Sequence, residues 1–203
     1  VDKDDYPLII KVASLPNARL QVYFMDNDDY FKRKFVFRDE NEKFYEDNAD
    51  RTVFFCKSAL ETVKKFGWPP NVIHCHGWMT SLVPLYLKTT YKKEPVFNFA
   101  KSVFTVQADQ FKEKLSDQFV KKAMISTDIK EKDLDVFADR TNTALTLGGA
   151  KYADIVILGD KKISTKITDE IKPSRTKKVI PFSPEWEADI TSLIDLYKSL
   201  TDS

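Results

Sequence analysis

Both histidines of the 203-residue chain fall in one hexapeptide, Asn71-Val72-Ile73-His74-Cys75-His76, which runs on into Gly77 and Trp78. Read as a strand, the hexapeptide points His74 and His76 to one face, at the carboxyl end where the chain turns into a helix. Ligands of open α/β sheets bind in the crevice outside such carboxyl ends, so polar imidazoles ending an apolar strand mark the main candidate site. Gly77 would let backbone approach a ligand closely. His74, the deeper of the two, reads as a structural residue bonding its surroundings, and for His76 the structural reading stays open beside the ligand-binding one. Asp47 and Asn48, near Arg51, precede the helix that feeds this strand and are candidates for lining the same crevice. Helix capping by Asn48 or Asp50 is the competing reading.

Other chemistries find little support in the residue pattern. Cys75 points to the face opposite the histidines and no HExxH or CxxC motif accompanies it, so no metal site is expected. No G-x-S-x-G elbow offers a nucleophile. The five glycines, Gly67, Gly77, Gly148, Gly149 and Gly159, fit neither a dinucleotide fingerprint nor a P-loop, and no cofactor is expected. Phe31, Phe35, Phe37 and Phe44 alternate with Lys32, Arg33, Lys34 and Arg38. With Asp28, Asp29, Asp39 and Glu40 alongside, this stretch reads as a folded flap packing aromatics rather than as a surface for stacking bases.

The elements that must position these residues follow from patterning. Leu8 to Ala13 and Leu20 to Met25 read as short strands split by a Pro16-Asn17 turn. Asp50 is the expected N-cap of a helix carrying Val53, Leu60 and Val63, closed by Gly67 and Pro69. The strand Asn71 to His76 follows. A helix is expected from Trp78 to about Tyr91, kinked or delayed by Pro84. Then come a strand at 101–107, helical segments at 119–124 and 141–152, a strand at 154–158, a short helix at 163–171, a strand at 177–180 and a last helix from Pro184 to Leu200. Strands alternating with helices imply βαβ units, and a run such as Ile155-Val156-Ile157-Leu158 suits a strand buried on both faces. The expected fold class is therefore α/β, a three-layer Rossmann-like domain with a mainly parallel sheet.

Composition sets the outer bounds. Thirty-two Lys and Arg against 31 Asp and Glu leave a net charge of +1, which excludes generic binding to nucleic acid or an anionic membrane. With 42% hydrophobic residues the chain can bury roughly 70% of its unfolded surface, and residues 1–203 are expected to form a single domain. No apolar run approaches a membrane span, and the acidic start lacks the layout of a secretion signal. Two cysteines without framework spacing suit a reducing cytoplasm. Val at position 1 suggests that the chain is cut from something longer.

The stretch from Asp47-Asn48-Ala49-Asp50-Arg51 through Val72-Ile73-His74-Cys75-His76-Gly77-Trp78 to Leu82-Val83-Pro84-Leu85-Tyr86-Leu87 resembles the bacterial glycogen and plant starch synthases. That family has an Asp-Asn, Arg-Phe helix, a strand ending in His-x-His-Asp-Trp, and a helix with Leu-x-Pro-x-Tyr-Leu. Lys101-Ser102-Val103-Phe104-Thr105-Val106 resembles its next strand and Tyr152-Ala153-Asp154-Ile155-Val156 its "Ala-Asp" strand, so the likeness runs over about residues 22 to 171. The resemblance implies one lobe of a two-lobed GT-B glycosyltransferase, retaining, that moves glucose from ADP-glucose to the non-reducing end of an α-1,4-glucan. It implies α-glucan or maltooligosaccharide as partner, and ADP-glucose once a second lobe is present. Substrate binding would fall to His76, Gly77, Trp78, Asp47 and Asn48, with His76 matching the family histidine that contacts the glucosyl unit.

This sequence departs from the family pattern at several places. Gly77 stands where the family has aspartate, Gln107-Ala108 where it has His-Asn, and Gly159-Asp160 where it has Ser-Pro. The Lys-x-Gly-Gly-Leu loop and the second lobe, which carries the family's catalytic Arg, Lys and Glu, have no counterpart in these residues. The resemblance thus implies a synthase lobe inactive by itself, against the alternative of a glucan-binding or regulatory module that kept the lobe without the chemistry.

Overall fold

In the computed structural model, residues 7–201 are described. The chain begins with an antiparallel hairpin of β1 (Ile9–Ser14) and β2 (Gln21–Asp26), turning at Asn17, whose φ of 62° is left-handed. Asparagine is among the few residues that tolerate that conformation. A short helix α1 (Asp28–Phe31) is capped by the Asn27 side chain, which accepts from the Tyr30 N–H at 3.0 Å.

The long helix α2 (Asn48–Phe66) starts earlier than expected. Its N-cap is Asp47, and Asp50 lies in the first turn, bonded to Lys122 at 2.5 Å. A carboxylate there still favours the positive end of the helix. At the far end Gly67 takes φ 65° and its N–H reaches the Lys64 and Val63 carbonyls, the glycine-terminated ending that sequence suggests.

Strand β3 (Val72–His76) leads through a 3-10 turn, Trp78–Thr80, into α3 (Leu82–Lys88). Pro84 explains the delay: the helix restarts so that proline sits in the first turn, where a missing N–H costs nothing. β4 (Lys101–Val106), α4 (Phe119–Ala123), α5 (Glu131–Leu134), α6 (Asn142–Tyr152), β5 (Ile155–Leu158), α7 (Thr165–Glu170), β6 (Lys178–Ile180) and α8 (Thr191–Thr201) complete the order. The last helix is not continuous from Pro184. Ser183 and Pro184 begin a 3-10 turn, Pro184–Glu187, as their types predict, but α8 starts afresh where Asp189 Oδ1 accepts the Thr191 N–H at 2.8 Å.

β3, β4, β5 and β6 form a four-stranded parallel sheet in that order, with His74 beside Val103 and His76 beside Thr105. The hairpin is a separate two-stranded sheet. One sheet face, carrying Cys75, Phe104 and Val156, packs on α2, α3 and α6 in the main core. Gly149 lets α6 approach closely, since a Cβ there would lie 2.6 Å from the Phe104 ring. The other face carries Val103, Ile155 and Ile157 and is covered by Leu196 of α8, with Trp186, Leu193 and Leu200 around it. Helix, sheet and helix make the three layers. Along this last stretch Ile190 and Ile194 are exposed while Leu196 is buried.

Candidate active-site crevice

His74 and His76 leave β3 on the same face, their ring centroids 4.0 Å apart. Their surroundings separate their roles. The His74 Nε2 bonds Thr105 Oγ1 at 2.6 Å, and its Nδ1 bonds the Tyr197 hydroxyl of α8. A neutral imidazole has one donor and one acceptor, and two hydroxyl partners satisfy either tautomer. Burial, and secondarily the neighbouring His76, push the His74 pKa down to about 4. His74 is thus a neutral, fully bonded strut, as its deeper position suggests. His76, one strand repeat further on, is exposed, and partial burial lowers its pKa. A neutral imidazole held upright by the strut beneath it can donate to one hydroxyl and accept from another.

Gly77 shapes the shoulder of the crevice. Its φ of 71° and ψ of 177° belong to a region open essentially to glycine alone, and its N–H reaches the Thr105 carbonyl at 3.2 Å. A Cβ on it would meet Gln107 Oε1 at 2.7 Å. Gln107 is itself held by the Gln110 amide at 2.7 Å. Two departures from the family pattern, at positions 77 and 107, therefore touch.

Trp78 turns inward and is 3% exposed, packed edge-on against Phe37 and Phe111, with Phe44 tilted above it. Phe44 and Phe111 stack at 4.9 Å, and a bridge between Arg38 and Phe44 closes the flap, which packs aromatics as its composition predicts. Asp47 and Asn48 hold this flap. Arg33 grips the Asp47 carboxylate with both terminal nitrogens, one at 2.8 Å. Asn48 is fully buried, its amide donating to the Phe37 carbonyl at 2.9 Å and its oxygen accepting from Arg51 at 2.7 Å. The structure thus brings His76 to the crevice surface, leaves Gly77 and Trp78 buried beside and beneath it, and puts Asp47 with Asn48 at the root of the flap that packs on Trp78.

Residues that sequence did not single out complete the site. Thr105 and Tyr197 orient His74, and the parallel register, placing Thr105 beside His76, is the signal that would have found the first of them. Asp154 ties the sheet below the site, accepting from the Ser102 N–H at 2.9 Å and from Lys88 at 2.5 Å. Among the described residues no group of three or more His, Cys, Asp or Glu side chains is placed to hold a metal ion.

Comparison with known proteins places this geometry. The family profile described as the starch synthase catalytic domain matches residues 2–179, beyond both ends of the stretch carried by the sequence motifs. A glycogen synthase of Chlorobium phaeovibrioides is 34% identical over 164 residues, covering 80% of this chain and 33% of the relative. One from Chlorobaculum tepidum is 32% identical over 170 residues, covering 83% and 34%. Over a shorter stretch, 49% of this chain, the glycogen synthase of Pelodictyon phaeoclathratiforme is 43% identical. The chain spans about a third or less of the length of these relatives. In three dimensions it is similar to the catalytic domain of Arabidopsis thaliana starch synthase IV, solved with ADP and acarbose. The TM-score is 0.61 at 21% identity, over 89% of this chain and 38% of that one, a likeness of fold. With the profile covering residues 2–179, well over half of its length, the chain belongs to the starch synthase catalytic domain family.

Proposed function

We propose that, in the full-length protein, residues 1–203 form a single acceptor-side lobe of a GT-B glucosyltransferase that moves glucose from ADP-glucose to the non-reducing end of an α-1,4-glucan. The observation that carries this reading is the exposed imidazole of His76 at the carboxyl end of β3, fixed by the bonded His74 beneath it. In this reading His76 hydrogen-bonds a hydroxyl of the glucosyl unit and limits its rotation, which lowers the entropy cost of aligning the reacting carbon. Gly77, itself buried, shapes the shoulder beside that unit. Trp78 supplies the rigid floor, and Asp47 and Asn48 act through the flap they anchor rather than by touching sugar. Two buried, unpaired cysteines, Cys56 and Cys75, accord with a reducing cytoplasm as the place of action.

The test is incorporation of radiolabelled glucose from ADP-glucose into glycogen by the full-length protein. His76→Ala is expected to lower incorporation at least tenfold with little change in melting temperature. Incorporation equal to the parent's would remove His76 from the mechanism.

A further inference from the structure

The hairpin ahead of α1 has one face packed on the fold and one face open. Its strands set Ile9 opposite Asp26, Lys11 opposite Phe24 and Ala13 opposite Val22, and beyond them the Leu15 N–H meets the Leu20 carbonyl at 3.0 Å. Side chains alternate along a strand and directly opposed residues share a face, so these eight lie on one side of the ribbon. The other side carries Tyr23, which rests on the carboxyl end of α2 with its ring 6.0 Å from Phe66 and 5.1 Å from Trp68. On the outer side Ile9, Leu15, Leu20 and Phe24 are 46 to 56% exposed. Ala13 is exposed beside them and Val22 half-buried. The two charged members of the set, Lys11 and Asp26, pair with each other.

The dimensions of this face decide what covers it. It presents about 500 Å² of largely apolar surface, which marks an interaction site rather than ordinary surface scatter. A two-stranded ribbon is also marginal in water without a packing partner. A separate molecule needs about 800 Å² on each side for a stable complex, more than the face supplies. A segment of the same polypeptide needs less, because its tether already holds it at high local concentration. The 34% and 32% identical relatives are matched over only 33% and 34% of their lengths, so in that family most of the polypeptide lies outside the matched stretch. Two strands about 5 Å apart make a face about as wide as one helix, and the run from Ile9 to Leu15 is about 20 Å long, the length of a helix of about 14 residues. With Lys11 and Asp26 neutralising each other, the covering element needs an apolar stripe and no fixed charge.

We propose that the outer face of the β1–β2 hairpin is the docking surface for one amphipathic helix of the same polypeptide, drawn from outside residues 1–203 and laid with its apolar stripe on Leu15, Leu20 and Phe24. The assignment stands independently of the role of His76.

Oxidative footprinting of the unmodified full-length protein, read by mass spectrometry, compares three phenylalanines. By exposure in this lobe their order is Phe99, Phe24, Phe35. A docked helix is expected to move Phe24 to last place, at least threefold below Phe35. Modification of Phe24 between the other two overturns the proposal. A photoreactive group carried on Lys11, which is exposed on the same face, then identifies the occupant in a mixture of isotopically light and heavy protein. Links of one isotope from Lys11 to a single segment outside residues 1–203, with linked positions three or four residues apart, are the expected result. Mixed-isotope links assign the face to a second copy and overturn the proposal, as do links confined to residues 1–203 or the absence of any link.

Discussion

His74 makes the pH dependence of this protein directional. Its pKa of about 4 in the fold lies below the ordinary 6.5, so the unfolded chain binds the proton more readily. The stability contributed by neutral His74 is complete above pH 6.5 and is lost as pH falls toward 4. Denaturant titrations from pH 7 to pH 4 are expected to show a falling midpoint, with a shallower fall in His74→Gln. His74→Ala at pH 7 leaves Thr105 and Tyr197 without their partner and is expected to cost about 1 to 2 kcal/mol in chemical denaturation. Gly77 gives a second expectation. Gly77→Ala forces a side chain into a conformation reserved for glycine and against Gln107, at a cost of about 1 to 3 kcal/mol. Gln107→Ala relieves the contact but not the backbone strain, so the double variant is expected to recover only part of the loss. At this scale the sequence was partly legible. Two imidazoles ending an apolar strand announced the crevice, and strand alternation gave their shared face. The roles of Asp47 and Asn48 were not legible, because their partners Arg33 and Phe37 lie in an irregular flap where no periodicity fixes which side chains meet.

Among the elements, the sheet followed from apolar runs and the long helix from its glycine ending. The boundaries missed were the start of α2, where Asp47 is the N-cap residue without a side-chain capping bond, and the start of α8, where the Asp189 carboxylate accepts the Thr191 N–H. Within α8, Leu196 is the buried anchor and Ile194 faces outward. Leu196→Ala is accordingly expected to destabilise the fold by about 2 to 4 kcal/mol, while Ile194→Ala changes it by about 0.5 kcal/mol or less. Thermal melts of the two variants, side by side, check this. Equal effects would mean that α8 docks in another rotation.

Across the whole molecule, the sheet lies between helices of unequal cover. The main core fills one face, while the other is closed by α8 and the turn before it. A glycosyl transfer needs reacting groups held in place and water excluded, and this lobe offers a single open crevice side. Residues 1–203 by themselves are expected to incorporate no glucose from ADP-glucose into glycogen above a His76→Ala control. Incorporation above that control would show the lobe to be sufficient. The closure of the second face by α8 carries a further consequence through Tyr197. Since this hydroxyl holds His74, and His74 packs against His76, local opening of α8 is expected to loosen the crevice. Linkage then runs both ways: if His76 binds saccharide as proposed, the bound saccharide is expected to tighten the helix. Amide hydrogens of residues 191–201 should exchange more slowly when maltohexaose is present, and Tyr197→Phe should abolish that protection, so that the far end of the chain reports whether the crevice is filled.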